Sequence, residues 1–315
     1  MNRWIHGALT LVALGIVVGL VIHWSDRRPT PTPTAGPPTP GAPNHSPGAT
    51  PPQPTDPGTT VRPCTEPGPA ARLSVLTFNI HGALGHGRLD LGAIADAISA
   101  SRADVVLLEE VDRYRARTGV VDQTAWLARR LGMHSAYGAN KLRTPARSGL
   151  PPAAIGNAIL SRFSMHDVTN THLPNRPGME LRGLLHARLD VRGRSVSVYV
   201  THLQHTSGSM RIEQAHGIRR VIDADPLPKI LGGDLNAEPG SAALQVLEDG
   251  GLHDTWAAVG RGAGLTVPAF VPHRRIDFVL HDDAVRPVAA SVRRSGLSDH
   301  REVRADLEVP EVAPC

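Results

Sequence analysis

Six short stretches of the 315-residue chain place carboxylates, amides and imidazoles where apolar runs end. Asn79 closes one such run and Glu109-Glu110 another. His202 follows a third, Asp234 and Asn236 a fourth, Asp277 sits inside a fifth, and Asp299-His300 precedes the last. No nucleophilic Ser or Cys motif accompanies them. Oxygen-rich donors of this kind suit a hard divalent cation such as Mg²⁺ or Mn²⁺ rather than Zn²⁺. The chemistry that follows is phosphoryl transfer to water, with the cation neutralising phosphate oxygens and an Asp or His orienting and deprotonating the attacking water.

Taken singly, each residue has an ordinary structural reading. Asn79 is a turn former, Glu110 a surface carboxylate, His202 part of an exposed loop, and Asp234 and Asp299 turn caps. Asp277 is harder to dismiss, because an acid within Ile276-Asp277-Phe278 must find a partner once buried. Only the set of residues and its order point beyond these ordinary roles.

Positioning these groups requires strands that converge. Leu73–Asn79, Asp104–Leu108 and Lys229–Leu231 are short apolar or β-branched runs, Ser195–Thr201 alternates as a half-buried strand does, and Ile276–Leu280 and Glu302–Val309 add two more. Helical patterns lie between them at Leu89–Ser101, Gln123–Leu131, Ser209–Asp223 and Gly240–Glu248. The pattern is α/β without an internal repeat, an architecture in which function gathers at strand ends. Loops such as Lys141–Leu150 and Arg261–His273 are left to shape the substrate site.

Composition bounds the partners. Lys and Arg number 33 against 29 Asp and Glu, a formal net charge of +4, and Trp, Tyr and Phe number only 4, 3 and 4. So small an excess gives no electrostatic reason to expect nucleic acid, and so few aromatics leave little for base stacking. An apolar content of 41% excludes pervasive disorder.

One apolar run, Trp4 to Ser25, carries no Lys, Arg, Asp or Glu. As a helix it would reach about 33 Å, enough to span a bilayer, with Trp4 and Trp24 at the interfaces. Residues 1–28 are thus expected to be a membrane anchor, a cleaved signal being the rival. Residues 29–70 follow as a Pro/Thr-rich stalk, 15 of the chain's 28 prolines falling between 29 and 69. Cys64 and Cys315 flank the remaining domain, 71–315, and a disulfide between them would place it outside the cytoplasm. Arg27 and Arg28 against Arg3 mildly favour the opposite orientation. The expected location is a single-pass membrane protein with an extracytoplasmic domain, or a secreted one.

The motifs in order, Thr77-Phe78-Asn79-Ile80, Leu108-Glu109-Glu110-Val111-Asp112, Gly156-Asn157-Ala158-Ile159-Leu160-Ser161-Arg162, Thr201-His202-Leu203, Gly233-Asp234-Leu235-Asn236-Ala237-Glu238-Pro239, Arg275-Ile276-Asp277-Phe278 and Leu297-Ser298-Asp299-His300, resemble the endonuclease/exonuclease/phosphatase superfamily, also called the deoxyribonuclease I-like fold. The resemblance covers about Arg72 to Val309. It implies a four-layer α/β sandwich, two mixed β-sheets flanked by helices, with the site at one rim. It implies that Asn79, Glu110 and Asp299 hold the metal. Asp234 would orient or deprotonate water, and Asn236 would donate to the phosphoryl oxygens. His300 would touch the scissile phosphate with Asp277 fixing its tautomer and favouring its protonated form, while His202 would contact phosphate or assist the leaving group. Asn157 would face the pocket as a substrate-binding residue. Alternation along a strand sends Glu109 and Glu110 to opposite faces, so both cannot serve equally.

His81 departs from the pattern, standing where many nuclease members carry Asp. The Trp and Cys-Asp-Arg features of the inositol-phosphatase branch are missing, as are the extra Trp and basic loops of the abasic-site nucleases. The expectation is a Mg²⁺- or Mn²⁺-dependent phosphoesterase acting on phosphodiesters of lipids or small molecules at a membrane surface, with no protein partner inferred. The rivals are an extracellular DNase-type endonuclease and a non-catalytic binding module on a stalk.

Overall fold

The computed structural model describes residues 70–294 and 296–310, apart from the side chain of His86. The expected anchor, the stalk up to residue 69 and the Cys64–Cys315 pairing lie outside these residues. Among the described residues no helix is long and apolar enough to cross a membrane.

Among the described residues twelve strands and five α-helices follow in chain order. They are β1 (Ala71–Asn79), α1 (Leu91–Ser101), β2 (Val105–Arg113), α2 (Gln123–Leu131), β3 (His134–Arg143), β4 (Ala153–Ser161), β5 (Met165–His172), β6 (Gly183–Val191), β7 (Arg194–His202), α3 (Gly208–Ile222), β8 (Lys229–Asp234), α4 (Ala242–Glu248), β9 (His253–Asp254), α5 (Thr255–Val259), β10 (Asp277–His281), β11 (Arg286–Arg293) and β12 (Glu302–Val309). They form two six-stranded sheets, ordered β11-β12-β1-β2-β4-β3 and β5-β6-β7-β8-β10-β9. Each is mixed, with one parallel pair at its centre, β1 with β2 and β7 with β8.

Three apolar clusters define the layers. Val75, Val105, Leu107, Ile159, Val198, Ile230 and Val279 belong to the cluster between the sheets. Leu76, Phe78, Val106 and Leu108 point the other way and pack with Ile94, Ile98 and Leu127 of α1 and α2. Tyr199, Leu231 and Phe278 do the same on the second sheet with Ile218, Leu244 and Leu247 of α3 and α4. The period-two alternation of each strand supplies both faces, and burying each large side chain contributes about 1.5–3 kcal/mol. The helices start at capped positions: the side chains of Asp90, Asp122, Ser207 and Ser241 each accept a backbone N–H from the first turn. This is the expected four-layer sandwich.

Strands β3 to β6, β9 and β11 were not expected from the sequence. Met165–His172 and Arg286–Arg293 are edge strands with mostly exposed residues, so hydrophobic periodicity is weak there. Lys141 to Arg143, expected in a loop, instead end β3.

Two glycines allow the sheets to close. A Cβ at Gly232 would lie 2.4 Å from Leu107 Cδ1 across the sheet interface, and one at Gly233, whose φ is +148°, would lie 1.9 Å from the Thr201 carbonyl oxygen. Neither position has room for a side chain.

Candidate active site

Parallel pairing within each sheet puts the carboxyl ends of β1, β2, β7 and β8 at one rim, where the antiparallel strands β10 and β12 begin. Register then sets the neighbours. Asn79 pairs with Glu109, and His202, Asp234 and Asp277 form one row across β7, β8 and β10. Ser298 ties the last motif to this rim, its Oγ donating to the Asn79 carbonyl at 2.7 Å and accepting from the His300 N–H at 3.2 Å.

Oδ2 of Asp234 is the hub. Asn79 Nδ2 donates to it at 3.2 Å, and His202 Nε2 and His300 Nε2 lie 3.4 and 3.7 Å away. Its Oδ1 accepts the Asn236 backbone N–H at 2.9 Å. Burial together with the nearby charge of Asp277 pushes the Asp234 carboxyl up to about 7. On the far side of His300, Nδ1 lies 3.0 Å from both oxygens of Asp277. Burial pulls this imidazole down, but the Asp277 carboxylate and the charges of Asp234 and Asp299 outweigh it and raise His300 to about 10. Asp277, Asp234 and His300 are all buried, and their candidate ligand atoms lie within 4.8 Å of one another. Such a cluster could hold a metal, yet an imidazolium clamped by two carboxylates is already satisfied and would repel a second cation.

His202 is the opposite case. Burial, with Arg182 and His300 nearby, holds it well below its ordinary value, so its imidazole is neutral. Its Nε2 lies 3.0 Å from Asn236 Nδ2, which also donates to the Leu203 carbonyl at 3.1 Å. In this arrangement the Asn236 amide nitrogen braces His202, while Asn236 itself sits at φ +48° beyond the end of β8.

The residues expected to hold a metal lie on the other side of Asn79. Nδ2 of Asn79 donates to Glu110 Oε1 at 3.3 Å as well as to Asp234, and its Oδ1 accepts the His81 N–H at 3.1 Å. The amide nitrogen, rather than the oxygen expected of a metal ligand, thus faces the carboxylates and joins the two halves of the site. His81 Nδ1 stands 3.4 Å from Asp299 Oδ1 and 3.8 Å from Glu110 Oε2. That contact raises His81 and, in return, holds the Asp299 carboxyl down at about 2. Glu110 and Asp299 are both partly open to solvent, with the His81 ring between them, and carboxylate oxygens are the donors a hard divalent cation takes.

Glu109 and Glu110 separate by a local irregularity. Glu110 has φ +54°, and the pairing of β2 with β4 slips between Leu108 and Val111. Glu109 turns inward, accepting from Thr77 Oγ1 at 2.9 Å, and burial with Asp277 nearby raises its carboxyl well above the ordinary range. Arg275, in the same motif as Asp277, pairs with buried Asp254 at 2.7 Å and lies over the Phe278 ring, a packing role.

Beside the rim is a cavity of about 260 Å³ that includes Glu110, Asn157 and His202 in its lining. Arg115, Arg117, Lys141, Arg143 and Arg182 face it, against Glu110 and Glu180. A net charge of +4 for the whole chain does not show this local excess. Asp112 organises part of it: fully buried, it receives Arg115 at 3.1 Å and Arg117 at 2.6 Å. No motif marks these cations, which come from the segment after β2, from β3 and from the residue before β6.

The Endonuclease/Exonuclease/phosphatase family sequence model matches residues 76–300. The crystal structure of an endonuclease/exonuclease/phosphatase from Beutenbergia cavernae is 31% identical, with a TM-score of 0.64 over 78% of this chain and 73% of that one. A mannosyl-6-phosphatase of Bacteroides thetaiotaomicron covers 75% of this chain at a TM-score of 0.60, and at 16% identity the likeness is of fold alone. Protein cwh43 of Schizosaccharomyces pombe is 32% identical over 163 residues, which is 51% of this chain but only 16% of that protein's length.

Proposed function

Because the chain belongs to the endonuclease/exonuclease/phosphatase family, whose members are generally hydrolytic, we propose that it is a divalent-metal-dependent phosphoesterase using Mg²⁺ or Mn²⁺, most active on phosphodiesters of lipids or small molecules. The observation that carries this reading is the line of contacts from Asp277 through His300 to Asp234 and on through Asn79 to Glu110, hydrogen-bonded at every step except the 3.7 Å approach of His300 Nε2 to Asp234. It sets a carboxylate of near-neutral pKa between an imidazolium and a carboxylate pair suited to a cation.

Glu110 and Asp299 would hold the cation, with Asn79 beside them. Bound there, the cation would neutralise phosphate oxygens and the leaving oxygen. Asp234 takes a proton from water as the water oxygen attacks phosphorus, a role matched to its value of about 7. The phosphorus–oxygen bond to the leaving group breaks opposite the attack. His300, kept protonated by Asp277, supplies positive charge to the phosphoryl oxygens. Asn236 and neutral His202 brace each other at the phosphate's edge.

Exposed apolar residues near the site suit a lipid substrate. Leu142 lies between Lys141 and Arg143 of the cavity rim, and Phe270 and Val271 follow Ala269, whose N–H binds the Asp299 carbonyl. The uncharged run Trp4–Ser25 agrees with a membrane-held enzyme acting outside the cytoplasm, or a secreted one.

A nuclease reading draws support from the cation-lined cavity. Against it, no Trp, Tyr or Phe is among the described residues that line that cavity to stack a base. The test is a panel of bis(p-nitrophenyl) phosphate, sphingomyelin, glycerophospholipids and double-stranded DNA with Mg²⁺, Mn²⁺ or chelator. Metal-dependent turnover of the lipids or small diester with DNA intact is the expected result. DNA nicking alone would favour the nuclease, and inactivity on every substrate would favour a binding module.

A further inference from the structure

Several features of the cavity beside the rim are unexplained by hydrolysis of a simple diester. Five cationic side chains, Arg115, Arg117, Lys141, Arg143 and Arg182, face a space of about 260 Å³, and Glu110, Glu180 and the Asp112 behind Arg115 and Arg117 supply three carboxylates in return. Among the described residues Lys141 and Arg143 have no carboxylate partner. Arg182 is 6% exposed, and although its Nη2 lies 3.3 Å from Glu180, its buried Nε has no hydrogen-bond partner. Burying a guanidinium with an unused donor is costly unless something else binds it.

Two acceptors in the same cavity are in the same condition. Oδ1 of Asn140 and Oδ1 of Asn157 are buried and unpartnered, while Asn157 Nδ2 is occupied by the Gly183 carbonyl at 3.1 Å. The cavity therefore offers charged donors for an anion and amide oxygens for hydroxyls. Its lining shares Glu110 and His202 with the catalytic rim, so one molecule can reach both.

We propose that this cavity receives a second phosphate, carried on a hydroxyl-bearing part of the substrate, while the scissile phosphate lies at the rim. The inference rests on the phosphoesterase reading above and narrows it to substrates with two phosphate groups. Planar guanidinium forks suit phosphate oxygens, and Asp112 pre-orients two of them without filling their outward donors. The second phosphate is not cleaved. It adds charge-assisted contacts that a singly phosphorylated compound cannot make.

The test measures binding to the full chain by calorimetry, with chelator present to suppress turnover. The probes are paired mono- and bisphosphates of glycerol, glucose and inositol. At least one bisphosphate is expected to bind about tenfold or more tightly than its monophosphate. That ratio should fall towards one in Arg182→Gln and in the double variant Lys141→Ala, Arg143→Ala, whose rim positions lie outside the core. Equal binding within every pair, or a preference that survives both variants, would overturn the proposal. So would tight binding of a single-stranded oligonucleotide with no bisphosphate preference. Vesicles of phosphatidylcholine containing phosphatidylinositol or its 4-phosphate separate the sources: preference only on vesicles assigns the phosphate to a lipid headgroup, and preference on the soluble pair assigns it to a free metabolite. Turnover of bis(p-nitrophenyl) phosphate with Mn²⁺, measured separately, reports on the phosphoesterase reading alone.

Discussion

Asp277 holds Nδ1 of His300 with both carboxylate oxygens at 3.0 Å, which leaves Nε2 of the same ring 3.7 Å from Asp234. The pair spans the end of one sheet and the start of a strand in the other, so the contact also joins the two sheets at the site. An acid that looked out of place in an apolar strand is buried because it has this partner.

The pH dependence of stability should carry the signature of that pair. His300 is raised to about 10 in the fold against 6.5 when free, so its contribution is fully present below pH 6.5 and is lost as pH rises through 10. The most this can amount to is about 5 kcal/mol. Asp277→Asn is expected to lower the melting temperature at pH 7 and remove the decline between pH 7 and 10. A variant whose melting curve falls over that window as the wild type does would show that Asp277 does not hold the proton on His300.

Asp234→Asn should abolish turnover by about 10²–10⁴-fold while the fold persists by circular dichroism. Its carboxyl is raised to about 7, so in chelator the wild type loses stability as pH rises from about 4 through 7. The Asn variant, having no such charge to bury, should lack that loss. Unchanged turnover would remove Asp234 from the reaction.

Divalent metal should stabilise the protein through Glu110 and Asp299. At a hundredfold excess over Kd, Mn²⁺ would add about 2.7 kcal/mol, a rise of several degrees in melting temperature. Chelator should reverse it, and Glu110→Gln or Asp299→Asn should reduce it sharply. An equal shift in both variants would move the metal elsewhere, the Asp234, Asp277 and His300 cluster being the next place to look.

Gly233→Ala tests whether strand closure positions the Asp234 carboxylate. The added Cβ would meet the Thr201 carbonyl at 1.9 Å, and φ of +148° disfavours any side chain. β7 and β8 would have to part where His202 pairs with Asp234. A loss of about 3 kcal/mol or more is expected in chemical denaturation, with activity reduced in the fraction that folds. Wild-type stability and activity would mean that this end of the sheet is slack.

The sequence alone determined the family and the two-sheet fold, because the motifs recur in a fixed order and the central strands bury residues on both faces. Ile276-Asp277-Phe278 could be read in isolation, since a buried acid demands a partner. The edge strands Met165–His172 and Arg286–Arg293 could not, because exposure of most residues on both faces erases their apolar signal. For Glu109 and Glu110 alternation says only that neighbours diverge, and the family resemblance singled out Glu110; the irregularity at φ +54° and the pairing with β4 supply the physical means by which Glu110 reaches the rim. The cation-lined cavity belongs wholly to the tertiary structure. Arg115, Arg117, Lys141, Arg143 and Arg182 are spread over 68 residues of chain amid a nearly balanced total charge. Only sheet pairing brings them to one place, and electrostatic attraction depends on distance in space rather than on composition.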